Sequence, residues 1–153
     1  MPYIAGNMNI VLDTNVLVAA VRSPTGASAE IVREVITQRW AVLCSVPLFL
    51  EYEAVLTRPE HLKAAGVERA SVLNLLDVLA GRLTQVSIHF LWRPQLKDPN
   101  DDLVLEVAAN RQVLGASVGL VTFNARDFLP QSMKFGVSVL TPRQFFQQDP
   151  RSS

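Results

Sequence analysis

Cysteine is almost absent from this sequence: Cys44 is the only one, which excludes a disulfide framework and any cysteine-rich metal centre. It lies in the apolar run Ala41-Val42-Leu43-Cys44 and reads as a buried thiol in a reducing compartment rather than a nucleophile. Histidine is scarce too; His61 and His89 stand apart from every cluster of acids and read as surface or structural residues. Neither charge is in excess, with Lys+Arg and Asp+Glu at 14 each and a formal net charge of zero. No global field marks a nucleic-acid binder or a membrane-surface protein, so a polyanion would have to be held locally. No apolar stretch approaches the roughly 20 residues that span a bilayer, and the N-terminus lacks the basic and apolar regions of a secretory leader. A soluble, cytoplasmic protein is expected. Lysine is rare as well: Lys63, Lys97 and Lys134 are the only three, and the other basic residues are arginine. Arginine suits bidentate phosphate contacts, although a GC-rich coding bias yields the same composition. No internal repeat, low-complexity tract or linker interrupts the chain.

What is present is apolar patterning. With 153 residues, 49% of them hydrophobic, the chain fits one domain with a true core. Short apolar runs predict strands at 9–12, 41–45, 84–88, 118–122 and 137–140, and helical periodicity fills the intervals. Ile31, Val32, Val35 and Ile36 mark one amphipathic helix, and Val72, Leu73, Leu75, Leu76, Val78 and Leu79 mark another. Alternation of this kind predicts an α/β fold, a three-layer α/β/α sandwich around a parallel sheet of about five strands. The domain is expected to span residues 1–146, with 147–153 a frayed polar tail.

Polar residues recur where the apolar runs end. The first case is Asn9-Ile10-Val11-Leu12-Asp13-Thr14-Asn15, a strand buried on both faces that ends on a carboxylate. In open α/β sheets ligands bind beyond the carboxyl ends of the strands, so Asp13 is placed to bind metal; as a good N-cap residue it is equally placed to begin a helix. The second case is Ser45-Val46-Pro47-Leu48-Phe49-Leu50-Glu51-Tyr52-Glu53. Pro47 suits a first helical turn, Glu51 lies one turn on and able to point back to the sheet, and Glu53 falls on another face. The third is Lys97-Asp98-Pro99-Asn100-Asp101-Asp102, three acids at a helix start. Capping and the helix dipole favour acids there by about 0.3 to 1 kcal/mol each, which accounts for Asp98 or Asp102 more readily than for all three. The fourth is Thr122-Phe123-Asn124-Ala125-Arg126-Asp127, where Arg126 and Asp127 could simply pair. Acids converging on one cleft repel one another and take up protons unless a cation relieves them. Oxygen ligands without histidine or cysteine favour Mg²⁺ or Mn²⁺ over Zn²⁺, and such an ion suits hydrolysis of a phosphodiester.

These four segments, with the closing Val139-Leu140-Thr141-Pro142-Arg143-Gln144-Phe145, resemble the PIN-domain family, which includes the VapC-type ribonuclease toxins of bacterial toxin–antitoxin pairs. The resemblance covers nearly the whole chain and rests on four short motifs in order. It implies that Asp13, Glu51, Asp101 and Asp127 form an acidic quartet holding Mg²⁺ or Mn²⁺, with Thr14, Asn15, Asp98, Thr122 and Asn124 as supporting or alternative ligands. Asn124 stands where many relatives carry an acid, which lowers the negative charge of the site. The resemblance further implies endonucleolytic cleavage of single-stranded RNA, a cognate antitoxin in the cleft, and a homodimer or higher oligomer with residues 72–83 as a candidate contact. Arg22, Arg58, Arg93 and Arg126 are near the motifs in sequence and are candidate phosphate contacts. Two other readings compete: a PIN-like binding module without turnover, which Asn124 favours, and an aspartyl-phosphate phosphatase or receiver domain. The phosphatase needs an acid where Asn15 stands, and the receiver needs a lysine where Thr141-Pro142-Arg143 stands.

Overall fold

The computed structural model describes residues 9–38, 40–89, 95–113 and 118–148. Five strands, β1 (Asn9–Leu12), β2 (Ala41–Cys44), β3 (Leu83–Gln85), β4 (Val118–Val121) and β5 (Ser138–Leu140), form one sheet in the order β3-β2-β1-β4-β5. Every pairing is parallel, and with helices on its faces the sheet makes the expected three-layer α/β/α sandwich. Ile10, Val11, Leu12, Val42, Leu43, Val118, Leu120 and Val121 are buried, as continuous apolar runs in a sheet covered on both sides must be.

The strand order decides where a ligand can sit. The chain steps outward from β1 to β2 to β3, then crosses back to place β4 on the other side of β1. That reversal creates a switch point between β1 and β4, the position at which open α/β sheets leave a crevice. Leu12 is in register with Val121, so the next residues, Asp13 and Thr122, leave the sheet side by side.

Helices α1 (Thr14–Arg22), α2 (Ala27–Ile36), α3 (Val46–Leu56), α4 (Pro59–Ala65), α5 (Arg69–Ala80), α6 (Pro99–Val113), α7 (Gln131–Lys134) and α8 (Pro142–Gln148) fill the connections. α6 packs on β1, β2 and β4, while α1 packs on α2, α3 and α4. Ser45 caps α3, its side chain accepting a hydrogen bond from the Leu48 amide at 3.2 Å, with proline in the first turn; it therefore ends β2 one residue before the expected boundary. Gly66 closes α4 in the left-handed conformation, at φ 69°, where a side chain would be strained.

Two expectations need correction. The strand expected at 84–88 is β3, Leu83–Gln85, because β2, its neighbour among the described residues, ends at Cys44; the Val86 amide donates to the Cys44 carbonyl at 2.8 Å, and beyond it α3 has begun. Gln147 and Gln148, expected in a frayed tail, belong to α8. A reciprocal capping box holds that helix: the Gln144 amide donates to the Thr141 hydroxyl at 3.1 Å and the Thr141 amide to the Gln144 side chain at 2.9 Å. Phe145 anchors it by packing on Trp40, ring centroids 4.6 Å apart. Residues 149–153 of that tail lie outside the described residues, as does Arg93. In the segment 72–83, Val72, Leu76 and Leu79 are buried in the core, Leu73, Leu75 and Leu83 are half-buried, and Val78 is exposed.

Candidate active site

At the switch point a cleft of about 270 Å³ opens, and four separate segments line it. The start of α1 brings Asp13, Thr14 and Asn15; α3 brings Glu51, with Arg58 just beyond it; the start of α6 brings Asp98, Asn100 and Asp101; the turn after β4 brings Asn124 and Asp127. Residues separated by more than a hundred positions thus face one space because their strands are neighbours.

Asp13 occupies the N-cap position of α1 yet makes no side-chain cap hydrogen bond. Its carboxylate instead accepts from the Thr122 hydroxyl at 2.7 Å, and the Asn124 amide donates to that same hydroxyl oxygen at 3.0 Å. The backbone is tied in parallel, the Asp13 amide donating to the Val121 carbonyl at 2.9 Å. Asp13 is 6% exposed, and burial raises its proton affinity; the Thr122 hydroxyl and the Thr14 amide oppose that rise, and Asp127 and Asp98 add to it.

Glu51 reaches the cleft from the second turn of α3, half-buried, while Glu53 faces solvent. Burial raises the Glu51 carboxyl, Arg58 lowers it and Asp98 raises it again. Next to it, Tyr52 is buried and donates its hydroxyl to the Leu12 carbonyl at 2.6 Å. This bond ties α3 to the last residue of β1 and so fixes where Glu51 stands relative to Asp13. Sequence reasoning passed over Tyr52; the available signal was a tyrosine in an otherwise apolar helical run, since a buried phenol needs a partner.

The three acids before and within α6 divide their work. The Asp98 side chain accepts from the Asn100 amide at 2.9 Å, a capping contact, and also faces the cleft. Asp102 is 3% exposed and turns away, accepting from the Gln95 and Leu96 amides at 3.2 Å each. Asp101 is the one committed to the cleft. Its carboxyl is pushed up to about 7 by burial first and then by Asp13, Asp98, Asp127 and Asp102.

The basic residues separate in the same way. Arg58 lines the cleft. Arg22 does not: it ends α1, about 12 Å along the axis from Thr14, where its Nε donates to His61 Nδ1 at 3.2 Å. The length of α1 thus carries it away from the sheet edge and outside the cleft lining. Arg126 points into an adjoining cavity together with Asp127. Asn100, not singled out from sequence, faces the cleft.

Chemically the cleft is a set of oxygen donors with more negative charge than its one arginine offsets. Burial first, and neighbouring carboxylates after it, raise the proton affinity of Asp13, Glu51 and Asp101, and a divalent cation fits such a set as the missing counter-charge. Among the described residues, no three histidine, cysteine or acidic side chains close into a chelating cluster; the acids ring the cleft rather than converge on one point.

The acidic cleft thus stands at the switch point of a five-stranded parallel sheet. Residues 9–126 match the family model of the PIN domain, and the chain belongs to that family. The match takes in Asp13, Glu51, Asp98, Asp101 and Asn124 and stops one residue short of Asp127. PIN domains are generally metal-dependent nucleases, which makes this chain a hydrolase at that coarse level. No curated protein matches the chain. Among the described residues, no helix is long and apolar enough to cross a membrane.

Proposed function

We propose that the protein is a Mg²⁺- or Mn²⁺-dependent endoribonuclease that hydrolyses phosphodiesters of single-stranded RNA in the cytoplasm, and that it is the toxin of a toxin–antitoxin pair. The observation that carries the hydrolytic part is the meeting of Asp13, Glu51, Asp101 and Asp127 around one cleft at the switch point. RNA, the antitoxin and self-association rest on the family resemblance.

In this reading Asp13, Glu51, Asp101 and Asp127 hold the cation, with Asp98 and Asn124 beside them. Bound there, a divalent ion supplies a more acidic water and stabilises charge on the phosphoryl group. The chain's own residues do the rest. Thr122 fixes the orientation of the Asp13 carboxylate through its hydroxyl. Tyr52 ties α3 to the last residue of β1, next to Asp13, and so sets where Glu51 stands in the cleft. Arg58, beside Glu51, offers the cleft a positive charge for a phosphate oxygen.

The test is cleavage of an internally labelled single-stranded RNA by the purified protein with Mg²⁺ or Mn²⁺. Cleavage that chelator and Asp13→Asn both abolish is expected. Cleavage that persists in Asp13→Asn, or none across varied RNAs with either metal, would count against this reading, and the second outcome would leave the binding module without turnover. Co-purification with the product of an adjacent small gene separates a toxin from a housekeeping nuclease.

A further inference from the structure

A second cavity, of about 540 Å³, adjoins the cleft, and Asp98, Asp101 and Asp127 line both. Its remaining walls differ in chemistry from the acidic centre. Lys97 and Arg126 bring two cations into it, beside Leu96, Leu129 and Pro130. The cations come from different segments, Lys97 from the approach to α6 and Arg126 from the 3-10 turn Ala125–Phe128 after β4. Each is adjacent in sequence to an acid of the cleft, and both are exposed. Neither makes a side-chain ion pair or hydrogen bond among the described residues. Leu129 leaves 46% of its surface exposed at the same place.

On the other side of the shared acids, Arg58 lines the cleft next to Glu51. Positive charge therefore flanks the acidic centre in both directions. A mononucleotide or a terminal phosphate presents one phosphate and has use for one flank; a continuous strand presents phosphates on both sides of the bond being cut. A cavity of this size lies within the roughly 300–1,000 Å³ of small-ligand sites. Apolar side chains beside paired cations match a nucleotide whose base is unstacked, since a base inside a duplex has both faces covered.

We propose that this second cavity is a substrate subsite: Lys97 and Arg126 hold the phosphate next to the scissile one, and Leu96, Leu129 and Pro130 cover the face of the accompanying base. This assignment rests on the nuclease reading given above, and the experiment separates the two.

Cleavage of a single-stranded oligoribonucleotide is compared with that of a dinucleoside monophosphate, which has no neighbouring phosphate. The wild type prefers the oligonucleotide; Lys97→Ala/Arg126→Ala raises its KM on the order of 10- to 100-fold, leaves kcat within about threefold, and loses the preference. Binding of a labelled oligonucleotide, followed by anisotropy in an Asp13→Asn background, weakens in parallel, and the slope of log Kd against log salt falls by about 0.7 for each phosphate that is no longer neutralised. Arg69→Ala/Arg82→Ala removes the same charge from exposed positions outside both cavities and changes neither quantity. A double variant that keeps the wild-type preference and salt slope overturns the subsite while the nuclease reading stands. If the wild type cleaves neither substrate, the nuclease reading fails, and an unchanged oligonucleotide affinity in the double variant overturns the subsite as well.

Discussion

Two pockets lie at the carboxyl ends of strands in the same sheet, and they have little chemistry in common. Beyond β1 and β4 the cleft is walled by carboxylates and amides. Beyond β2 and beside β3 a pocket of about 190 Å³ is walled mainly by Cys44, Val46, Phe49, Leu50 and Leu83. Both begin with a buried titratable residue at or just past a strand end. Burial pushes the Cys44 thiol up to about 12, where it stays protonated and inert. Burial also raises Asp13, but the Thr122 hydroxyl just past the neighbouring strand β4 favours its charged form. The difference comes from topology: β1 and β4 sit at the switch point, so a polar group after one strand meets a polar group after the other. At β2 the helix begins immediately with Val46 and Pro47, and the space fills with apolar side chains.

The contrast is broken most severely by Asp13→Asn. A metal ligand worth several kcal/mol in the transition state corresponds to a loss of roughly 10³-fold in RNA cleavage, measured as the single-turnover rate. Cys44→Ala, the equivalent change in the apolar pocket, is expected to leave that rate within about twofold. Comparable losses from both would remove the distinction between the pockets.

Asp101 gives the contrast a pH axis. Its carboxyl ionises near about 7 in the folded chain against 3.8 unfolded, so between these values the folded state holds the extra proton. Its contribution to stability is complete below pH 3.8 and is lost as pH rises through about 7. Asp101→Asn should flatten this part of the Tm–pH curve. A divalent cation should raise Tm more at pH 8 than at pH 5.5, because protons and metal compete for the same oxygens. A cation shift that is equal at both pH values would count against metal binding at Asp101.

Tyr52→Phe probes the tie between the two ends of the site. It removes the hydroxyl that reaches the Leu12 carbonyl at 2.6 Å, and a buried acceptor left without a donor costs about 1 to 3 kcal/mol. Chemical denaturation should show that loss with an unchanged m-value, together with slower cleavage as Glu51 loses its fixed position. Leu50→Ser is the smallest change. Leu50 is 56% exposed at the rim of the apolar pocket, so its replacement is expected to stay within about 0.5 kcal/mol in the same denaturation assay and to leave cleavage intact.

Much of the architecture was legible in the chain. The apolar runs ending at Leu12, Cys44 and Val121 located three strands because strands buried on both faces must be continuously apolar. Their polar followers were visible for the same reason. Other features were not. β3 is an edge strand whose length depends on where β2 stops, which no local pattern encodes. The reciprocal cap at Thr141 and Gln144 did have a signature, the Thr-x-x-Gln spacing, and extends α8 through residues expected to fray. Arg22 lies near Asp13 in sequence but a full helix away in space, whereas Lys97 and Arg126 reach one cavity from segments almost thirty residues apart.

By itself the sequence determined the alternation of strands and helices, the apolar core and the positions at which carboxylates follow strands, because these depend on periodicity and on neighbours a few residues away. Whether the Asp13 side chain caps α1 or turns to the cleft was decided only by the tertiary structure. Both roles suit an aspartate after a strand, and the choice turned on Thr122, 109 residues further along the chain, which the strand order places within hydrogen-bonding distance. The same holds for Asp98, Asp101 and Asp102, three acids at one helix start. Packing alone turned Asp102 inward, left Asp98 to cap, and directed Asp101 into the cleft.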